Sequence, residues 1–270
     1  MKISTNISSL QSQRSLVRNQ NALTKISEGL ASGKRINRAG DDAAGTAVSS
    51  AMSSQIRGMK VASRNAADGI SLVQTAEGGM ASTESILQRM RELAVQSKNG
   101  TFSTEDRANL DAEFQELKKE ITNISTNTEF NGTKLLDAGA AASVDLSIGS
   151  KGETMSIALQ KTDLATLKLD TSDVTDAAKS DLSIAAIDGA LKDLNTSRAQ
   201  MGAYQNRLEY TVDNLGTTST NLSAARSRIE DADMAELSSE AAKFRVLSQS
   251  SIAMLTQSNQ NSQSVLGLLQ

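Results

Sequence analysis

The sequence predicts a mainly α-helical fold: a long-helix coiled-coil bundle carrying a small β-hairpin, with paired terminal helices. Three observations carry this. First, 270 residues include no Pro, Cys, Trp or His and only six aromatics, Phe102, Phe114, Phe130, Phe244, Tyr204 and Tyr210. Long helices packed along their length need only Leu, Ile, Val, Met and Ala, and Pro inside a helix costs about 3 kcal/mol. Second, apolar residues recur every seven positions over segments well beyond the average helix length of roughly 11 residues. Third, one stretch alternates with period two.

Taken in order, residues 4–32 carry a thin stripe, Leu16, Leu23, Ile26 and Leu30, flanked by Ser, Asn and Gln. Such a helix is marginal alone. From Ala43 to Lys98 the series Met52, Met59, Ala66, Val73, Met80, Leu87, Ala94 is unbroken. Its companion positions are mixed: Ile56 and Ile70 are apolar, whereas Ser63, Glu77, Glu84 and Arg91 are polar. Asp41 or Asp42 suits the N-cap, and Asn99-Gly100 the stop. Residues 104–128 place Leu110, Phe114, Leu117, Ile121 and Ile124 on one face, with Ser103 or Thr104 as cap. Residues 183–230 repeat Ile187, Leu194, Met201, Leu208, Leu215, Leu222 and Ile229. Repeats sustained this long predict coiled-coil seams in a bundle.

Val144, Leu146 and Ile148 alternate with polar residues, as do Met155, Ile157 and Leu159. With Gly149-Ser150-Lys151-Gly152 between them, they predict a β-hairpin near 144–159 that lies on the bundle. Residues 160–182 read as the loop between the two halves. The final helix, about 234–270, aligns Leu237, Ala241, Phe244, Leu255, Val265 and Leu269. From Val246 onward it has no charged side chain, and 14 of its last 25 residues are Ser, Thr, Asn or Gln. That polarity argues for a helix covered by protein rather than a membrane span.

Residues 1–40 hold seven basic groups and one acid, Glu28, while the whole chain is at −3. The acids Glu230, Asp231, Asp233, Glu236 and Glu240 lie near the other end. The expected partner of the basic end is therefore that acidic segment, with no nucleic acid and no membrane insertion. Without His or Cys, the common zinc and copper ligands and the usual nucleophile pairs are missing. No catalytic residue, cofactor or metal is expected. No secretory signal is visible at Met1-Lys2-Ile3-Ser4-Thr5-Asn6.

Ser32-Gly33-Lys34-Arg35-Ile36-Asn37 followed by Asp41-Asp42-Ala43-Ala44-Gly45 resembles the N-terminal signature of bacterial flagellins. So do Ala62-Ser63-Arg64-Asn65-Ala66-Ala67-Asp68-Gly69-Ile70, Arg91-Glu92-Leu93-Ala94-Val95-Gln96-Ser97 and Phe130-Asn131-Gly132. Ala225-Arg226-Ser227-Arg228-Ile229-Glu230-Asp231-Ala232-Asp233 and the terminal Val265-Leu266-Gly267-Leu268-Leu269 are similar to the family's other end. The resemblance spans about 1–170 and 183–270. It implies a filament subunit without variable outer domains, exported unfolded by the flagellar type III apparatus without a cleaved signal peptide, and located in the extracellular flagellum.

The resemblance further implies that residues 1–40 with 231–270 form an inner, channel-lining coiled coil, and 41–230 the surrounding bundle. It implies as partners other copies of the chain, an export chaperone, the filament cap and hook-associated junction proteins. By position it places Gln88, Arg89, Arg91, Leu93, Gln96, Leu110 and Glu113 in a patch used for subunit contact or for a Toll-like innate receptor. Subunit packing is the favoured role there. The uncharged tail is expected to offer a passing chain no fixed charge, which Ser258→Lys or Gln260→Lys would test. The rival readings are a hook-associated junction protein and a secreted helical binding protein or immune ligand.

Overall fold

The computed structural model describes residues 6–267. Nine elements follow one another: α1 (Ile7–Ser32), α2 (Ala43–Ser97), α3 (Thr104–Asn127), β1 (Glu129–Phe130), β2 (Thr133–Lys134), β3 (Ser143–Ser147), β4 (Thr154–Ala158), α4 (Ala177–Glu230) and α5 (Met234–Gly267). The chain divides into two compact units, Gln55–Ser219 and Met1–Ser54 with Thr220–Gln270. Both boundaries fall inside helices, α2 and α4.

Caps explain the helix starts. Asn6 accepts the Ser9 N–H through its side chain, and α1 ends on Gly33 in the left-handed region at φ 70°. Asp42, rather than Asp41, caps α2 by accepting the Gly45 N–H at 2.9 Å. Ser103 and Asp106 form a reciprocal capping box on α3.

In the central unit the seven-residue series of α2 is sealed: Met59, Ala66, Val73, Met80, Leu87 and Ala94 are all buried. Ile187, Leu194, Met201 and Leu208 of α4 are buried likewise. Ion pairs Arg91–Asp188 at 2.7 Å and Lys98–Asp181 at 2.6 Å set α2 and α4 antiparallel. That register brings Leu87 near the level of Leu194, Met80 near Met201 and Val73 near Leu208. Phe114 and Ile121 of α3 close the core. The polar companions Glu77 and Glu84 are explained by Arg198 of α4, which pairs with both.

The expected hairpin forms as β3 and β4, with Leu146 opposite Met155. Met155 and Ile157 are buried, and Asn65 of α2 donates to the Ser147 carbonyl at 2.8 Å. Two glycines let it approach α2. A Cβ at Gly69 would run into Leu146 Cδ1, and one at Gly58 would sit 3.3 Å from Ser150 backbone atoms.

Three features differ from expectation. A second hairpin pairs β1 with β2 through Asn131 (φ 49°) and Gly132 (φ 78°), a two-residue turn with both residues left-handed. Helix α4 begins at Ala177, inside the expected loop, and its first hydrogen bond runs from the Ser180 N–H to the Asp176 carbonyl at 2.8 Å. The remaining loop is packed, not free. Leu167, Leu169 and Val174 are buried. Lys118 donates to the Asp170 and Ser172 carbonyls, Ser97 to Val174 and Ser183 to Asp173. These side chains satisfy backbone carbonyls that the loop cannot pair itself.

Candidate assembly interface

In the terminal unit, α1 and α5 run antiparallel. Asn6 donates to the Ser258 carbonyl at 3.1 Å, Asn19 meets Ser251 at 3.1 Å, and Gly29 lies against Leu237. The two faces read from the periodicity meet in one seam. Ile26 is buried, and Leu16, Leu23, Leu30, Leu237, Phe244 and Leu255 are half-buried along it. The expected members Val265 and Leu269 lie outside the described side chains. Small polar residues fill the gaps: Ser8 contacts Ser258 at 2.9 Å, and Ser9 donates to Asn259 at 3.1 Å. Ser258 therefore faces α1, whereas Gln260 is exposed.

The seam leaves the outer faces bare. Nine of the thirteen large apolar side chains exposed among the described residues belong to this unit: Ile7, Leu10, Val17, Val48, Met234, Val246, Leu247, Ile252 and Met254. Eight of these nine lie on α1 and α5, and exposed apolar surface of this extent marks an interaction face.

Where the two connectors meet, Glu230 is the hub. Lys34 forms an ion pair with it, Ser49 donates to it at 2.7 Å and Arg226 lies 3.7 Å away. The Arg35 N–H donates to the Glu230 carbonyl at 2.7 Å, and the Ala232 N–H to the Gly33 carbonyl at 3.1 Å. Lys34 first, and then Ser49, hold the Glu230 carboxyl below its ordinary value. Lys25 likewise lowers Asp41, at 2.8 Å. The expected meeting of basic and acidic ends thus occurs at Lys34. It does not extend to Arg14 and Arg18, because the antiparallel register sets them beside the uncharged part of α5.

On the central unit the structure separates the residues of the α2–α3 patch. Arg89 donates to Glu113 Oε1 through Nε at 3.0 Å and Nη2 at 2.8 Å, and to Glu92 at 3.1 Å. Glu113 foremost, then Glu92, raises the Arg89 pKa. Gln88 and Gln96 are exposed, and Leu110 is half-buried against the core. Leu93 is 1% exposed and belongs to the core. Arg91 pairs with Asp188 of α4, on the other side of α2 from Arg89. Residues two apart on a helix point about 200° apart, so Arg89 and Arg91 cannot share a face. The surface that remains on Arg89's side is Arg89, Glu113 and Gln96, whereas Gln88, three residues before Arg91, shares Arg91's side.

The residues missed from sequence were Arg198 with its two glutamates, and Lys118. Lining up the two long repeats antiparallel would have found the first, since Arg198 interrupts one apolar series where Glu77 and Glu84 interrupt the other.

A helix pair with bare apolar flanks, joined to a sealed bundle, defines a structural subunit of an assembly. The comparisons say which. The profile of the bacterial flagellin N-terminal helical region matches residues 3–141, and that of the C-terminal helical region matches 184–269. The chain is 48% identical to a flagellin of Halalkalibacterium halodurans over the full length of both. A crystal structure of Bacillus cereus flagellin, 32% identical, covers 60% of this chain and 94% of its own at a TM-score of 0.53. A Vibrio parahaemolyticus structure described as a flagellar hook-associated protein covers 71% of this chain and all of its own, at a TM-score of 0.61. At 14% identity it shows the fold alone.

The chain belongs to the bacterial flagellin family and is a structural subunit of the flagellar filament.

Proposed function

We propose that copies of this chain stack head to tail into an extracellular helical filament, with the α1–α5 pair as the inner, channel-lining layer and the central unit around it. The carrying observation is the contrast in burial between the units: the terminal pair has one half-buried seam and bare outer faces. Helices this thin gain little burial against their ordering entropy, so they order on assembly. The Arg89–Glu113 surface serves as a lateral contact between copies. Export proceeds unfolded through the flagellar type III apparatus without a cleaved signal peptide, with a chaperone in the cell and cap and hook-junction proteins at the filament ends.

Seeding purified monomer with filament fragments tests this. Elongation seen by electron microscopy, with many copies along the whole length, is the expected result. A monomer that stays monomeric on seeding would favour a soluble binding protein, and a single layer at the filament base would favour a junction protein.

A further inference from the structure

Among the described residues, two charged pairs of the terminal helices form no ion pair within their own chain. Arg14 and Arg18 lie on α1, and among the described residues Arg18 reaches only the Ser15 hydroxyl, at 3.4 Å. Glu236 and Glu240 lie on α5. Among the described residues no ion pair reaches any of these four. The register explains why. With Gly29 against Leu237, Arg14 lies level with Ile252, in the uncharged stretch, while Glu236 and Glu240 lie level with Ile26–Leu30.

Each pair is spaced by four residues, so each occupies one helix face. Each also shares its face with exposed apolar side chains. On α1, Ile7, Leu10, Arg14, Val17 and Arg18 form a strip on the side away from the seam. On α5, Glu236, Glu240, Lys243, Leu247 and Met254 form a flank beside the seam, with Lys243 turned over the Phe244 ring, 5.9 Å from its centroid.

We propose that the α1 strip of one copy docks on the α5 flank of a neighbouring copy, with Arg14 against Glu240 and Arg18 against Glu236. This rests on the filament-subunit reading and specifies its inner contact. In an antiparallel alignment both ion pairs close in a single register. The same register brings Ile7 level with Leu247, so an apolar contact falls beside the two ionic ones. Relative to the register inside one chain, the neighbour is displaced by twelve residues, about 18 Å at 1.5 Å per residue.

The division of labour follows from the side chains. Ile7, Leu10, Val17 and Leu247 supply burial. The arginines and glutamates contribute register more than affinity, as flanking charges do in coiled coils. The strip and the flank are different surfaces, so the contact is heterologous. Each copy in a row keeps one of each free, so copies can add in succession, and the row stays open where the rotation between copies does not close a ring.

A disulfide ladder tests the geometry directly, because the chain has no cysteine of its own. In the full-length double variant Ile7→Cys with Leu247→Cys, the two positions within one chain are twelve residues out of register, about 18 Å, which no disulfide spans. Filaments of this variant, oxidised and run on a denaturing gel, are expected to give dimers, trimers and higher ladders. Monomer alone from oxidised filaments overturns the contact.

Charge reversal is the second arm. Arg14→Glu with Arg18→Glu, or Glu236→Arg with Glu240→Arg, is expected to slow elongation on seeds of the same variant by about tenfold or more. Combining all four reversals restores opposite charges and recovers most of the rate. A fourfold variant no faster than either pair, with monomer circular dichroism unchanged, overturns the ionic register. Wild-type chain that fails to elongate its own seeds defeats the filament reading itself, whereas elongation without a ladder defeats only this contact.

Discussion

The central unit and the terminal pair use the same seven-residue apolar period with opposite results. In the centre, Met80, Leu87, Leu194 and Met201 are fully buried. In the terminal pair, Leu16, Leu23, Leu237 and Leu255 are only half-covered. Period decides which face of a helix is apolar, and the number of neighbours decides how far that face is buried. Helix α2 has α3, α4 and the β3–β4 hairpin around its central part. Among the described residues, α1 packs chiefly along α5. In the proposed filament the terminal pair is a half-finished coiled coil whose remaining partners come from other copies.

The most severe way to break the contrast is truncation after Met234. Loss of α5 is expected to abolish elongation from seeds, while circular dichroism retains the helix signal of α2–α4. Continued polymerisation of the truncated chain would remove the assembly role of α5.

Next is a matched pair of core truncations. Leu87→Ala is expected to cost the central unit about 2–5 kcal/mol in denaturant unfolding of the monomer. Leu23→Ala is expected to cost the monomer under about 1 kcal/mol, since its site is only half-covered. Its effect falls on the filament, as a raised concentration needed for growth. Equal losses at both sites would erase the distinction between the units.

Acid probes the connector hub. The folded-state pKa of Glu230 lies below its ordinary 4.5, through Lys34 and then Ser49. A depressed carboxylate stabilises the fold fully above its unfolded pKa and loses that contribution as pH falls through the folded value. The connector is thus expected to loosen below about pH 5. In Glu230→Gln this part of the pH dependence is absent and neutral-pH stability is lower. An unchanged acid profile in that variant would show that the hub carries no titrating role.

The smallest effects belong to exposed positions. Arg89→Gln is expected to leave monomer stability nearly unchanged, because its ion pairs are solvent-exposed. A larger drop in filament growth than in monomer stability supports the lateral contact, and parallel small changes in both count against it. Gln260→Lys, exposed where Ser258 is not, is expected to leave the monomer unchanged and slow growth if the uncharged tail lines the channel. Normal growth would remove that role.

Much of the fold was legible because each helix repeats its signal many times. Helix ends showed in Asp42, Ser103 and Asn99-Gly100, and the β3–β4 hairpin in two runs of period two around a glycine-bearing turn. The start of α4 was hidden. Its first buried positions are Ser180 and Ser183, small polar residues placed there because the packed 170–174 segment needs close approach and a donor at Asp173. The β1–β2 hairpin has the Asn-Gly signal, but its two-residue strands are too short to show a period. The α2–α3 patch was only partly legible. Position along the chain picks out Arg89, Arg91 and Leu93 together, whereas helical rotation sends one to α3, one to α4 and one to the core.

Hydrogen exchange on monomer and on filament of the same chain tests most directly whether the terminal pair is completed by its neighbours. Amides of α2, α3 and α4 within the central unit are expected to be protected in both states, and those of α1 and α5 to exchange fast in the monomer and slowly in the filament. Strong protection of α1 and α5 in the free monomer would contradict the account.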